Sequence, residues 1–121
     1  MYPIGAKLGV REFLYTHVGR YVGNGRVFHN HWKNGAEIVT VDQFANSKKV
    51  KILEQGVQSP QEFRKRVQYL LALNKPYCFL SNNCEHAASY VSNGIASSPQ
   101  LILYSIIALA GVCVLSRGAR A

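Results

Sequence analysis

The chain has 121 residues, 48% of them hydrophobic, and 14 Lys and Arg against six Asp and Glu give it a formal charge of +8. That is enough length and apolar content for one small domain whose core needs no disulfide or metal staple, and the charge points to an anionic partner, either nucleic acid or a negatively charged membrane surface. Three cysteines, with no secretory leader ahead of the first strand, argue against a secreted disulfide scaffold and predict reduced thiols in a cytosol-facing compartment.

Residues 1–12, with Pro3, Gly5, Gly9 and little periodicity, read as an irregular or edge-strand entry. Residues 13–22 read as a strand, Gly23-Asn24-Gly25 as a turn and residues 26–32 as a second strand, because Asn-Gly supplies the positive φ angles of a tight hairpin. The hairpin carries His17, His29 and His31. Its period of two places His29 and His31 on one face and Phe28, Asn30 and Trp32 on the other. Asn34-Gly35 marks a further turn, and residues 36–44 and 49–54, separated by a polar loop, complete a small antiparallel sheet.

Ser59 as N-cap, Pro60 at the first helical position and Glu62 at the third form a capping box that announces a helix. Phe63, Val67, Leu70 and Leu71 make its apolar stripe, Arg64, Lys65, Arg66 and Gln68 face away, and Pro76 ends it near Asn74. Residues 77–80 read as a short buried strand containing Cys78. Next, Asn82 or Asn83 caps a helix that ends at Gly94, with Cys84, Ala87, Ala88, Val91 and Ile95 on its apolar face. Cys84 thus lies in a first helical turn, where the positive end of the dipole favours thiolate and lowers the thiol pKa. That makes it the candidate nucleophile. His86, two residues along, turns to the opposite face and cannot be its base.

Ser97-Ser98-Pro99 reads as a linker, and residues 101–115 carry no charge before a basic end at Arg117 and Arg120. Fifteen such residues make about 22 Å of helix against roughly 30 Å of hydrocarbon, so the expectation is a C-terminal membrane anchor that spans with help from flanking residues or lies shallowly. The chain divides at this level into a catalytic domain, residues 1–96, and a hydrophobic tail, residues 97–121. No phosphate-binding loop, paired-carboxylate motif or Cys-x-x-Cys pair is present, so the chemistry rests on Cys84 and the hairpin histidines.

The stretch Thr16-His17-Val18-Gly19-Arg20-Tyr21-Val22-Gly23-Asn24-Gly25-Arg26-Val27-Phe28-His29, with Asn83-Cys84-Glu85-His86 behind it, resembles the H-box and NC motifs of the lecithin:retinol acyltransferase family. That family includes the HRAS-like suppressor phospholipase/acyltransferases, and some picornavirus 2A proteins carry the same boxes. The resemblance implies an α+β fold of the circularly permuted NlpC/P60, papain-like type, a small antiparallel sheet packed on helices, with a hydrophobic C-terminal helix. It implies Cys84 as nucleophile, His17 as general base and His29 as the group that orients His17. The Cys84 backbone N–H serves as oxyanion donor, with Tyr21 in a secondary role.

The implied reaction is phospholipid-dependent acyl transfer or phospholipase A hydrolysis through a cysteine thioester on the cytosolic face of a membrane. The acyl donor is a glycerophospholipid, no cofactor or metal takes part, and nucleic acid is not the favoured partner. Val18 stands where many animal members have Trp, and the stretch from His29 to Cys84 is shorter than theirs, which reduces the acyl-chain groove. Two other functions fit the same residues: a catalytically silent, membrane-tethered interaction protein, and an amidase or peptidase of the broader NlpC/P60 type. Zinc binding by His17, His29, His31 and Cys84 is disfavoured by their spacing. His31 and His86 are assigned to structure, and Cys78 and Cys113 to buried thiols.

Overall fold

The computed structural model describes residues 2–74, 77–78, 83–95 and 98–102. Five strands, β1 (Lys7–Arg11), β2 (Thr16–Gly23), β3 (Arg26–His31), β4 (Gly35–Thr40) and β5 (Val50–Glu54), form one sheet in the order β4-β3-β2-β1-β5, every neighbouring pair antiparallel. Helices α1 (Val41–Ala45), α2 (Pro60–Leu73) and α3 (Cys84–Asn93) complete an α+β domain.

The β2–β3 hairpin turns where expected, on Asn24 and Gly25 with φ angles of 53° and 71°. The Tyr21 hydroxyl accepts the Gly25 N–H at 2.9 Å and so closes that turn. Three readings of the sheet are corrected. The entry segment is no edge: β1 lies between β2 and β5, with Leu8 and Val10 buried. Gly9 interrupts the apolar pattern there because a Cβ would stand 2.7 Å from Leu53 Cδ1. Phe13 and Leu14 belong to the exposed β1–β2 turn rather than to a strand. The strand read across residues 36–44 stops at Thr40, whose side chain and that of Gln43 form a reciprocal capping box that starts α1.

Strand alternation divides the core in two. Leu8, Val10, Tyr21 and Val27 face α1 and pack with Phe44. On the other face Phe28 packs with Phe63 and Val67 of α2 and with Ala87 and Val91 of α3. Ser59 accepts the Glu62 N–H at 3.3 Å, but the Glu62 carboxylate lies 3.7 Å from Lys65, so only half of the expected capping box forms. Arg66 is turned inward rather than away, its Nη1 donating to the Ser92 carbonyl at 3.3 Å. Helix α3 keeps its expected limits, with Asn83 as N-cap and Gly94 at φ 82° as C-cap, but Ile95 is exposed because the chain leaves the helix axis there.

Cys78 is exposed, not buried. Of the strand expected over residues 77–80, positions 79 and 80 lie outside the described residues, as do Asn82, Cys113 and the hydrophobic stretch from residue 103 onward. No helix of the described residues is long and apolar enough to cross a membrane. Residues 98–102, the first of the expected tail, are docked on the domain: the Gln100 side chain takes both the N–H and the carbonyl of Thr16, at 2.8 and 2.9 Å.

Candidate active site

His17 and His29 come together as the hairpin register requires. His29 faces Gly19 across β2–β3 and Glu37 across β3–β4, which leaves His17, two residues before Gly19, as its diagonal neighbour on the same face. His17 Nε2 and His29 Nδ1 are 2.9 Å apart, and His29 Nε2 is 2.8 Å from Glu37 Oε2. A carboxylate only accepts, so His29 donates from Nε2 to Glu37, its Nδ1 accepts from Nε2–H of His17, and Nδ1 of His17 is left as the basic nitrogen. Glu37 was not singled out from the sequence; the hairpin register, once known, identifies it as the partner of His29. Gly19 leaves room for Val27 and Phe44 beside the rings, since a Cβ there would stand 2.7 Å from Val27 Cγ1 and 2.9 Å from Phe44 Cε1.

Both imidazoles are held neutral. Burial pushes His17 down to about 3, with His29 and His31 adding repulsion. Burial also lowers His29, outweighing the hydrogen bond and charge of Glu37.

Cys84 occupies the first position of α3 and is 3% exposed. It packs on Val18 and Ala88, with Tyr15 against the same cluster. Val18 and His17 are consecutive on β2 and point to opposite faces, so the sheet separates the thiol from the imidazole. Among the described residues no hydrogen bond joins Cys84 and His17, whose Nε2 is taken by His29. The contact that the resemblance implies is therefore not made in this state.

The thiol pKa is also corrected: burial pushes it up to about 11, and the Glu85 charge adds to the rise. Backbone hydrogen bonds from Val18, Glu85 and Cys84 itself pull the other way without prevailing. A helix dipole contributes up to about 2 kcal/mol even in a partly buried site, roughly one and a half pKa units, whereas burial shifts a group by up to about 3–5 units.

A cavity of about 40 Å³ adjoins the thiol, lined by Tyr15, Tyr77, Glu85, Gln100 and Leu101 among others. It admits about a water or two and no acyl chain. Its cover is the segment 98–102, whose Ser98 hydroxyl and Gln100 N–H both donate to Glu85 Oε1, at 2.7 and 2.8 Å. Burial and the nearby Cys84 push the Tyr15 phenol up to about 12. Tyr15 also lies edge-on to His17, ring centroids 6.4 Å apart, and so reaches both halves of the site.

The remaining histidines have structural duties. His86 Nδ1 accepts the Asn83 N–H at 3.1 Å in the α3 capping box, and His31 Nδ1 accepts the Lys33 and Asn34 N–H groups of the β3–β4 turn. Tyr21 spends its hydroxyl at the opposite end of β2 from His17. Among the described residues no three His, Cys, Asp or Glu side chains are grouped to hold a metal ion. No family model matches the chain, and no curated protein matches its sequence.

Proposed function

We propose that the chain is a membrane-associated acyltransferase or phospholipase A that works through a thioester on Cys84, on the circularly permuted NlpC/P60 plan. The observation that supports this reading most is the His17–His29–Glu37 chain, because it commits Nε2 of His17 and leaves Nδ1 as its free acceptor on β2, the strand against whose other face Cys84 packs. In the reaction Nδ1 of His17 takes the thiol proton, and the sulfur attacks the ester carbonyl carbon of a glycerophospholipid. The Cys84 backbone N–H at the start of α3 stabilises the oxyanion. Collapse expels the lysophospholipid alkoxide, which takes the proton from His17, and an amine, alcohol or water then cleaves the thioester. His29 and Glu37 fix the ring throughout.

Mass spectrometry of the full chain after incubation with phosphatidylcholine vesicles tests this directly. An acyl adduct on Cys84, absent from Cys84→Ala and greatly reduced in His17→Gln, is the expected result. No adduct and no lysophospholipid over a neutral to alkaline pH series overturns it. The second reading, a silent interaction protein, draws support from the neutral thiol under residues 98–102 and its place across the sheet from His17. That outcome of the experiment would favour it.

A further inference from the structure

We infer that the end of the sheet carrying the β1–β2 and β3–β4 turns is a docking surface for an anionic phospholipid bilayer. Because adjacent strands run antiparallel, these two turns project from the same end of the sheet, the end at which Thr16 opens β2. They present Phe13, Leu14 and Trp32, which are 92%, 71% and 64% exposed. The β1–β2 turn is closed by the Glu12 N–H donating to the Tyr15 carbonyl at 2.8 Å, which leaves Phe13 and Leu14 at its tip.

Beside this apolar rim runs a cationic cleft of about 490 Å³, lined by Gly9, Arg11, Thr16, Lys49, Lys51 and Leu53 together with Lys48. Lys48 reaches Glu12 at 2.6 Å and ties the approach to β5 to the turn. Among the described residues Arg11, Lys49 and Lys51 have no carboxylate within ion-pair distance, so three cations face the cleft uncompensated. The arrangement matches a bilayer surface, where anionic headgroups lie above hydrocarbon: the cations meet phosphate while the apolar tips enter. A polynucleotide would use the cations and stack on the aromatic rings, but it gives Leu14 nothing to do. Tyr15, next to the tip, lines the Cys84 cavity, so docking here would set that cavity against the membrane independently of residues 103–121.

The choice of partner rests on the proposed lipid reaction, but the surface is tested by binding alone. The full chain has one tryptophan, Trp32, which reports the β3–β4 turn directly, and the double variant Phe13→Trp with Trp32→Phe moves that reporter to the β1–β2 turn. With phosphatidylcholine vesicles containing phosphatidylserine, both reporters should shift to shorter wavelength and be quenched by brominated acyl chains. Lys49→Gln with Lys51→Gln should weaken binding at low salt by about 25-fold, at about fivefold for each cation, and Lys49→Glu with Lys51→Glu by more. Circular dichroism shows whether each variant is folded. Cys84→Ala should dock as the parent does, which separates failure of this surface from failure of the thioester reaction. Vesicle-bound protein with both reporters unshifted, no vesicle binding, or reporter shifts on single-stranded RNA but not on vesicles would each overturn the proposal.

Discussion

Mild acid should unfold this domain through its imidazoles before its carboxylates titrate. In the unfolded chain His17 takes a proton near its ordinary 6.5, whereas in the fold burial delays it to about 3. The stability this group contributes is complete above pH 6.5 and is lost as pH falls through the window to 3, because only the unfolded state binds the proton there. The slope for His17 alone is about 1.4 kcal/mol per pH unit, which accumulates to on the order of 5 kcal/mol at the lower end. Domains of this kind hold only about 5–15 kcal/mol in total. His29, lowered by the same burial, steepens the fall. Urea titrations followed by Trp32 fluorescence between about pH 7.5 and 5 measure the slope before most carboxylates protonate. His17→Asn should start from a lower stability and lose the part of the slope that His17 supplies, about 1.4 kcal/mol per pH unit. A flat stability profile across that range, or an unchanged slope in the variant, would refute the claim that His17 is buried and neutral.

Alkylation of Cys84 by iodoacetamide should remain slow at neutral pH and climb toward pH 11, with exposed Cys78 as the internal reference; a midpoint near 9.0 would contradict the burial argument. Gln100→Ala removes both side-chain hydrogen bonds to Thr16, at about 1 kcal/mol each, and should raise the Cys84 alkylation rate by up to about 30-fold with little loss of global stability. Arg20, 2% exposed, donates to the Ala88 and Gly5 carbonyls and pairs with Glu54 at 3.0 Å. Arg20→Met should therefore cost about 2–4 kcal/mol, read as a fall in Tm of about 10 °C or more. Asn83→Ala removes the α3 cap and should cost about 1 kcal/mol in urea unfolding.

The parts of the fold that were legible in the sequence are those written in local chemistry. Asn24-Gly25 specified a hairpin, Ser59-Pro60 the start of α2, and Asn82 or Asn83 with Gly94 the two ends of α3, since turn and cap residues act within four positions of themselves. The interior place of β1 was hidden because its evidence is non-local: β5, some 40 residues later, supplies the second neighbour that buries it. The approach of His17 to His29 was implied only by the resemblance, since the strand period by itself placed His29 with His31 and the pairing register was needed to bring His17 beside them. Glu37 was not legible, because its role depends on the β3–β4 register, and Glu85 was not, because its partners come from residues 98–102. The thiol pKa was misjudged for a related reason. The dipole of a helix is encoded in its own sequence, while the burial that outweighs it comes from Val18, Ala88 and Tyr15.

The separation of thiol and imidazole by β2 decides which side must yield if they are to meet. Turning the His17 ring would break its bond to His29 and leave two buried imidazole nitrogens unmatched, each costing about 1–3 kcal/mol, in the packed face that also holds Phe44. On the other face Cys84 sits in the first turn of α3, which is held by the Asn83–His86 capping box and by the Glu85 carboxylate, which accepts the Ser98 hydroxyl and the Gln100 backbone N–H. Gln100 fastens the same segment to Thr16, the residue before His17. Release of residues 98–102 would remove the Ser98, Gln100 and Leu101 lining of the 40 Å³ cavity and both donors to Glu85, while the Asn83–His86 capping box would stay in place. Activation of Cys84 is accordingly expected to follow the position of this segment rather than rearrangement of the histidines, which stay paired on Glu37.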